Sequence, residues 1–286
     1  MQWRAVVLTV VAMVAFAGNS LLCRAALRDT DIDAASFTSL RLASGALVLA
    51  LLVWLRGGRV RAGGSWLSAL ALFIYAAGFS LAYLGLGTAM GALLLFGAVQ
   101  ATMIGVGLVR GDRPNRWQWL GFVLAFGGLI GLLLPGLSAP PIAQAVLMLV
   151  AGTAWGVYSL RAKGAGEPTL ATAGNFLRAL PLTVIFSVVL WPQAQVDVPG
   201  VALALASGAL ASGLGYAVWY AALPLLQATT AATVQLSVPV IAALGGVLLL
   251  AEPLTPRLLV AGTAILGGIA LVILAKTVTP TARSPG

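Results

Sequence analysis

Ten apolar stretches follow one another along the chain, each close to the roughly 20 residues that a helix needs to cross a bilayer. They run Val6–Leu22, Ala34–Leu55, Trp66–Leu86, Thr88–Val109, Trp117–Leu134, Ile142–Leu160, Leu170–Trp191, Val201–Leu223, Ala228–Ala251 and Leu258–Ala275. Each is apolar on every face instead of alternating in polarity, so helices are expected and β-barrel strands are not. With 60% hydrophobic and 8% charged residues, the chain has too few polar groups to cover a water-facing surface. The expected fold is an all-α integral membrane protein of ten transmembrane helices, a single membrane domain over residues 1–286.

The chain also resembles itself. At a shift of 137 positions Arg24 falls on Arg161, Arg41 on Arg178, Phe79 on Tyr216 and Tyr83 on Tyr220. Near the ends of the halves the shift drifts to 140, placing Asp112 on Glu252 and Gly127-Gly128 on Gly267-Gly268. The repeat unit holds five hydrophobic segments, and an odd number inserts the second copy upside down, as in secondary transporters. Two inverted five-helix repeats are therefore expected, residues 5–137 and 142–275, joined by the Pro-rich stretch 134–141. Closely spaced glycines in the fifth and tenth segments let helix backbones approach. Packing within a monomer is the primary reading, and a dimer face through these glycine-rich helices is the alternative.

Charge sets the orientation. With the N-terminus inside, the inner loops and tails hold Arg4, Arg56, Arg59, Arg61, Arg110, Arg113, Arg116, Arg161, Lys163, Lys276 and Arg283. The outer loops hold only Arg28 and Arg257, with Arg24 at a helix end. The positive-inside rule then puts both termini in the cytoplasm of a multi-pass plasma-membrane protein. The net charge of +9 follows from this topology and argues against a nucleic-acid partner. The acidic loop Arg28–Asp33 has a spacing that hints at calcium, but it lacks the further ligands and the glycine of a binding loop. Ala15-Phe16-Ala17 before Gly18 could be read as a leader cleavage site. Under the repeat it aligns with Ile142–Leu160 and is expected to be a retained helix. A single cysteine, Cys23, provides neither a disulfide nor a metal cluster, and no metal or cofactor is expected.

Most tryptophans (Trp3, Trp54, Trp66, Trp117, Trp119, Trp191) stand at segment ends, where amphipathic rings anchor at the headgroups. Trp155 does not. It lies inside the sixth segment with Tyr158 one turn on, while Tyr75, Phe79 and Tyr83 share one face of the third and Tyr216, Trp219 and Tyr220 cluster in the eighth. A phenol facing lipid leaves its hydroxyl unpartnered, so these rings should turn inward, either as packing or as the aromatic wall of a cavity. Asn19, Ser80, Gln100, Ser159, Asn175 and Gln235 are candidate polar groups inside apolar segments, some of them bridging helices. Tyr75, Phe79, Tyr83, Trp155, Tyr158 and Tyr216, with Asn19 and Gln100, are the substrate-binding candidates.

Arg41 and Arg178 are strongly ionised groups lying about 10 Å along their helices from opposite membrane faces. Either they snorkel or bond to backbone carbonyls, or they draw a substrate carboxylate and latch each side of the cavity. Pro239, with Pro181 and Pro224, is a candidate hinge.

The core segments contain no clear Asp, Glu, His or Lys. Proton-coupled carriers usually need such a group, so a facilitator is expected. The same absence removes the usual catalytic sets, so no enzyme is expected. No ring of like groups marks a channel.

Gly18-Asn19-Ser20 followed by Arg24, then Arg41 in the next helix, resembles the opening of the ten-helix EamA-type branch of the drug/metabolite transporter superfamily. Ala154-Trp155-Gly156-Val157-Tyr158 and the series Pro239, Glu252, Thr255, Gly262 are similar to that family's second half, and the likeness covers essentially the whole chain. At the close of the first half, Gly111-Asp112-Arg113-Pro114 stands in place of the usual glutamate and threonine. Within the branch the chain most resembles YddG-type exporters of aromatic and other amino acids. The resemblance implies a basket of helices around a central cavity, a place in the bacterial inner membrane and amino-acid export by alternating access. Drug-like organic cations, purines or sugar conjugates are the alternative substrates.

Overall fold

A computed structural model describes residues 2–277 apart from 61–62, 112, 135, 137–138, 163–165 and 227. Asp112 therefore lies outside the described residues. The helices are α1 (Gln2–Asp29), α2 (Ala34–Leu55), α3 (Trp66–Tyr83), α4 (Thr88–Val109), α5 (Arg116–Leu133), α6 (Ile142–Ala162), α7 (Pro168–Val189), α8 (Val198–Ala206), α9 (Gly215–Ala222), α10 (Ala228–Val234), α11 (Ser237–Leu250) and α12 (Pro256–Thr277). A π-helical segment, Ser207–Leu214, joins α8 to α9 into one span.

Several of these starts are legible as caps. Asp33 accepts from the Ala35 and Ser36 backbone N–H groups at 2.8 and 3.0 Å to begin α2. Asn115 and Gln118 form a reciprocal capping box on α5, and Glu167 caps α7 ahead of Pro168 in its first turn. Two acids of the acidic loop, Asp29 and Asp33, are thereby accounted for. Asp33 is a cap that also accepts from Gln195 N at 3.0 Å, and Asp29 pairs with Arg28 at 2.6 Å.

The packing is symmetric under exchange of the halves. Helix α3 lies on α6, as the α8–α9 span lies on α1; α4 lies on α6, as α11 lies on α1; α2–α7, α4–α11 and α5–α12 pair across the exchange. Counting α10 and α11 as one span, the described residues form five spans per half, so the two halves run antiparallel, as in an inverted repeat. The outer faces carry large apolar side chains, Val109 at 90% and Leu248 at 78% exposure among them. Such a surface belongs in hydrocarbon. Trp3, Trp54, Trp66, Trp117, Trp119 and Trp191 are exposed, as expected of a headgroup belt.

Two spans depart from the expectation of plain helices. The ninth segment, expected over Ala228–Ala251, breaks at Gln235–Leu236 into α10 and α11. Pro239 is the cause: it has no N–H to offer the Gln235 carbonyl four residues back, and its ring crowds that carbonyl. The chain instead tightens through Leu236 N→Thr233 O and Val238 N→Gln235 O bonds at 3.0 and 3.1 Å. In the eighth, the π winding brings Gly208 onto α2, where a Cβ would collide with Ser44 Oγ and the Arg41 carbonyl. Gly121, Gly128 and Gly268 form the close α5–α12 contact inside the molecule, whereas Gly127, Gly131 and Gly267 meet no atom within 4 Å.

Candidate functional site

The helices enclose a cavity of about 360 Å³ walled by α1, α3, α4, α6 and the π–α9 span. Asn19, Tyr75, Phe79, Gln100, Trp155, Tyr158 and Tyr216, seven of the eight expected binding residues, line it. Tyr83 does not. Its hydroxyl donates to Thr88 O at 3.3 Å, its ring stands edge-on to Phe79 at 4.7 Å, and it packs over Gly91. The face shared by Tyr75, Phe79 and Tyr83 runs past the closed end of the cavity.

Trp155 is the hub of the wall. Its ring lies 4.8 Å from Tyr75, 5.2 Å from Tyr158 and 5.5 Å from Tyr216, the last two stacked. Phe16 closes on Tyr216 at 5.6 Å and on Trp219 at 6.1 Å. Phe16 is not among the expected binding residues, although it stands one turn before Asn19 on the same helix face; that spacing is the signal that points to it. The Trp155 and Trp219 indole N–H groups and the Tyr216 hydroxyl hold no hydrogen bond among the described residues, and none is sealed off as a buried orphan. An indole N–H only donates. No Asp or Glu lies among the cavity's lining residues, so the site combines flat apolar surface with free donors and suits a ligand that has a ring or apolar side chain and an acceptor-rich end.

A polar chain crosses the bundle behind this wall. Ser207 Oγ donates to Asn19 Oδ1 at 2.6 Å, Asn19 Nδ2 donates to the Tyr75 hydroxyl at 3.1 Å, and Arg41 Nη2 donates to the same hydroxyl at 2.9 Å. Arg41 is 1% exposed, lies against the Tyr75 and Phe79 rings at 5.2 and 5.0 Å, and leaves Nε and Nη1 without a partner. No carboxylate pairs with it among the described residues. Arg178 is placed differently. It donates to the Gly63 and Gly174 carbonyls, outside the cavity, and ties the α2–α3 loop to α7. Of the other polar candidates, Ser159 and Gln235 line the cavity. Ser80 is buried on Thr38 and the Ala76 carbonyl, and Asn175 Oδ1 accepts from Ser65 N at 2.8 Å.

The cavity lies toward one end of the bundle. Its lining reaches Ala162, Pro168 and Leu223, at the helix ends on the side where α1 begins and α12 finishes. The opposite end is closed by a cluster. Arg24 Nε meets Glu252 Oε1 at 3.1 Å, Arg24 Nη1 meets Tyr83 O at 2.8 Å, and Glu252 Oε2 accepts from Thr88 N at 2.7 Å. Pro239 stands in the first turn of α11, four residues past the cavity-lining Gln235. Among the described residues no group of three or more His, Cys, Asp or Glu could hold a metal.

Known proteins share this architecture. A solved crystal structure superposes with a TM-score of 0.69 at 18% identity, over 95% of this chain and 98% of the other, a likeness of fold alone. A protein of Pseudomonas aeruginosa described as uncharacterized is 60% identical over 271 residues, 94% of each chain. The threonine/homoserine exporter RhtA of Escherichia coli is 29% identical over 300 residues, covering 97% of this chain and 92% of that one. The EamA-like transporter family matches residues 3–134 and again 143–274. Nine long apolar helices and one broken span among the described residues, an internal aromatic cavity and this double match together make the chain a member of the EamA-like transporter family, multi-pass membrane transporters within the drug/metabolite transporter superfamily.

Proposed function

We propose that the protein exports neutral amino acids, aromatic ones among them, across the plasma membrane by alternating access. It works as a facilitator, driven by the substrate's own gradient. The observation that carries this reading is Arg41: a fully buried guanidinium with no acidic partner among the described residues, one hydrogen bond behind the aromatic cavity wall. An uncompensated buried cation is costly, and it lowers the cost of bringing a carboxylate alongside. Tyr75, Phe79, Trp155, Tyr158 and Tyr216 take the side chain, while Asn19 and Gln100 supply polar contacts. The name of the relative RhtA, an exporter of threonine and homoserine, supports amino acids as the substrate class.

With both termini in the cytoplasm, the cavity faces the cytoplasm, where an exporter loads, and the Arg24–Glu252 cluster closes the outer side. Substrate release then requires that cluster to part, with the break before Pro239 as the hinge. Absence of a carboxylate from the cavity lining supports transport without proton coupling and disfavours organic cations as cargo. Liposomes carrying the purified protein and loaded with phenylalanine, methionine or threonine test the reading. Efflux down the gradient should continue when the pH gradient is collapsed. Efflux no faster than from protein-free vesicles would overturn it, and uphill movement driven by a pH gradient alone would overturn the facilitator.

A further inference from the structure

A second chamber of about 290 Å³ lies at the mouth of the aromatic cavity, sharing the Tyr158 and Tyr220 rings with it. Its remaining wall is mixed: Gly64, Ala162, Pro168 and Ala171 form its apolar part, and Ser65, Ser68, Arg161, Thr172 and Asn175 its polar part. The arginine is held in place from one side only. Arg161 Nε donates to Ser68 Oγ at 3.1 Å, and Ser68 is in turn bonded by Ser65 Oγ at 3.0 Å. Arg161 is exposed at the mouth, and both of its Nη atoms face solvent without a partner among the described residues.

Its counterpart in the repeat shows that a free guanidinium is not simply what this position provides. Arg24, which aligns with Arg161, spends Nε on Glu252 and Nη1 on the Tyr83 carbonyl at the sealed end. At the open end Arg161 has no such partner. Glu167, the acid nearest this mouth along the chain, is occupied in capping α7 through Thr169 N and Leu170 N. Arg56, on Thr169 Oγ1 at 3.4 Å, and Arg178, on the Gly63 carbonyl, stand around the same mouth. The entrance is therefore cationic, and it concentrates anions.

We propose that this chamber is a carboxylate-receiving site in which the two Nη groups of Arg161 engage both oxygens of an amino-acid carboxylate, while the side chain enters between Tyr158 and Tyr220. The site rests on the amino-acid reading above and adds where the substrate first docks. A planar fork with two N–H donors matches a carboxylate, and a lysine ammonium carries the same charge without that match. Arg161→Lys therefore keeps the inner-side charge that orients the protein and removes only the fork.

The test is counterflow of labelled phenylalanine into liposomes with the full-length protein, measured with unlabelled phenylalanine or phenylalaninamide as competitor. For Arg161→Lys, the KM for phenylalanine should rise about tenfold with maximal rate retained, and the inhibition constant of the amide should not move. Arg116→Lys, at the same membrane side but outside the chamber, should change neither. The shift should be the same in vesicles with and without anionic lipid. An unchanged KM, an equal shift for acid and amide, or a shift seen only with anionic lipid would overturn the site while leaving the export reading standing. A wild-type protein that moves no amino acid would instead overturn the export reading itself, and the site with it.

Discussion

Arg24 and Glu252 lie 228 positions apart in the chain, and their side chains meet at 3.1 Å at the end of the bundle away from the cavity mouth. Through the Thr88 N–H and the Tyr83 carbonyl the same pair joins α1, the α3–α4 connection and the end of α11. If this is the outer seal, loosening it should expose what lies beneath. Cys23, the single cysteine, is 0% exposed and adjacent to Arg24. Wild-type protein should react slowly with a membrane-impermeant maleimide from outside, and Glu252→Gln should speed labelling several-fold. Equal rates would show that the pair does not hold this end closed.

Glu252 is presented by a left-handed residue. Ala251 sits at φ 51° and ψ 33°, and Glu252 N returns to Gly246 O at 3.0 Å to close α11. That conformation costs a residue with a Cβ about 1–2 kcal/mol. Glycine removes the strain but loses about 0.4–1 kcal/mol through the unfolded chain. Relief of the strain outweighs that loss, so Ala251→Gly should raise thermal stability in detergent by a net of about 0.5–1 kcal/mol. A lower melting temperature would contradict this.

The two repeat-related arginines should separate in their effects. Arg41→Met should sharply reduce transport and leave the melting temperature close to wild type, because methionine fills most of the volume of a buried cation that has no acidic partner among the described residues. Arg178→Ala should do the reverse. It releases the Gly63 carbonyl in the α2–α3 loop, whereas Gly174 O keeps its helical partner, and one acceptor left unpaired costs about 1–3 kcal/mol. Thermal unfolding and efflux of each variant, measured side by side, check the crossover.

Asp33 gives the fold an acid-sensitive anchor outside the membrane spans. Burial pushes its carboxyl up, but hydrogen bonds from Ser36, Gln195 and Ala35 outweigh this and hold it below the usual carboxylate range. With the folded value below the unfolded one of about 3.9, the stabilisation is complete above that value and is lost as pH falls through the folded value. Asp33→Ala should cost about 1 kcal/mol at neutral pH, typical of a lost cap. The gap between variant and wild type should close on titrating below pH ~4. A gap independent of pH would remove the carboxylate from the explanation.

The membrane architecture is readable in the sequence because bilayer spans are long and uniformly apolar, and because repeat symmetry constrains all ten at once. The aromatic wall is readable for a similar reason: phenols and indoles inside such spans have few places to go but inward. Tyr83 shows where that inference stops. It shares the helix face of Tyr75 and Phe79, but spacing does not say how far along the helix a cavity reaches. In the linear sequence Arg161 reads as topology alone, since positive-inside charge and a cavity-mouth arginine look the same there. The break in the ninth segment has a local cause in Pro239, whereas α7 runs unbroken through Pro181, so proline alone does not locate a break. The π winding of Ser207–Leu214 accompanies the close approach of Gly208 to α2, a contact between distant segments that the local sequence does not display.

Counterflow is the most direct measurement. Liposomes containing the purified protein and unlabelled phenylalanine are diluted into trace labelled phenylalanine, with no pH gradient. The label should accumulate transiently above equilibrium, Trp155→Ala should abolish that peak, and excess methionine should suppress it. No accumulation of labelled phenylalanine, methionine or threonine above protein-free vesicles would contradict amino-acid export through this cavity.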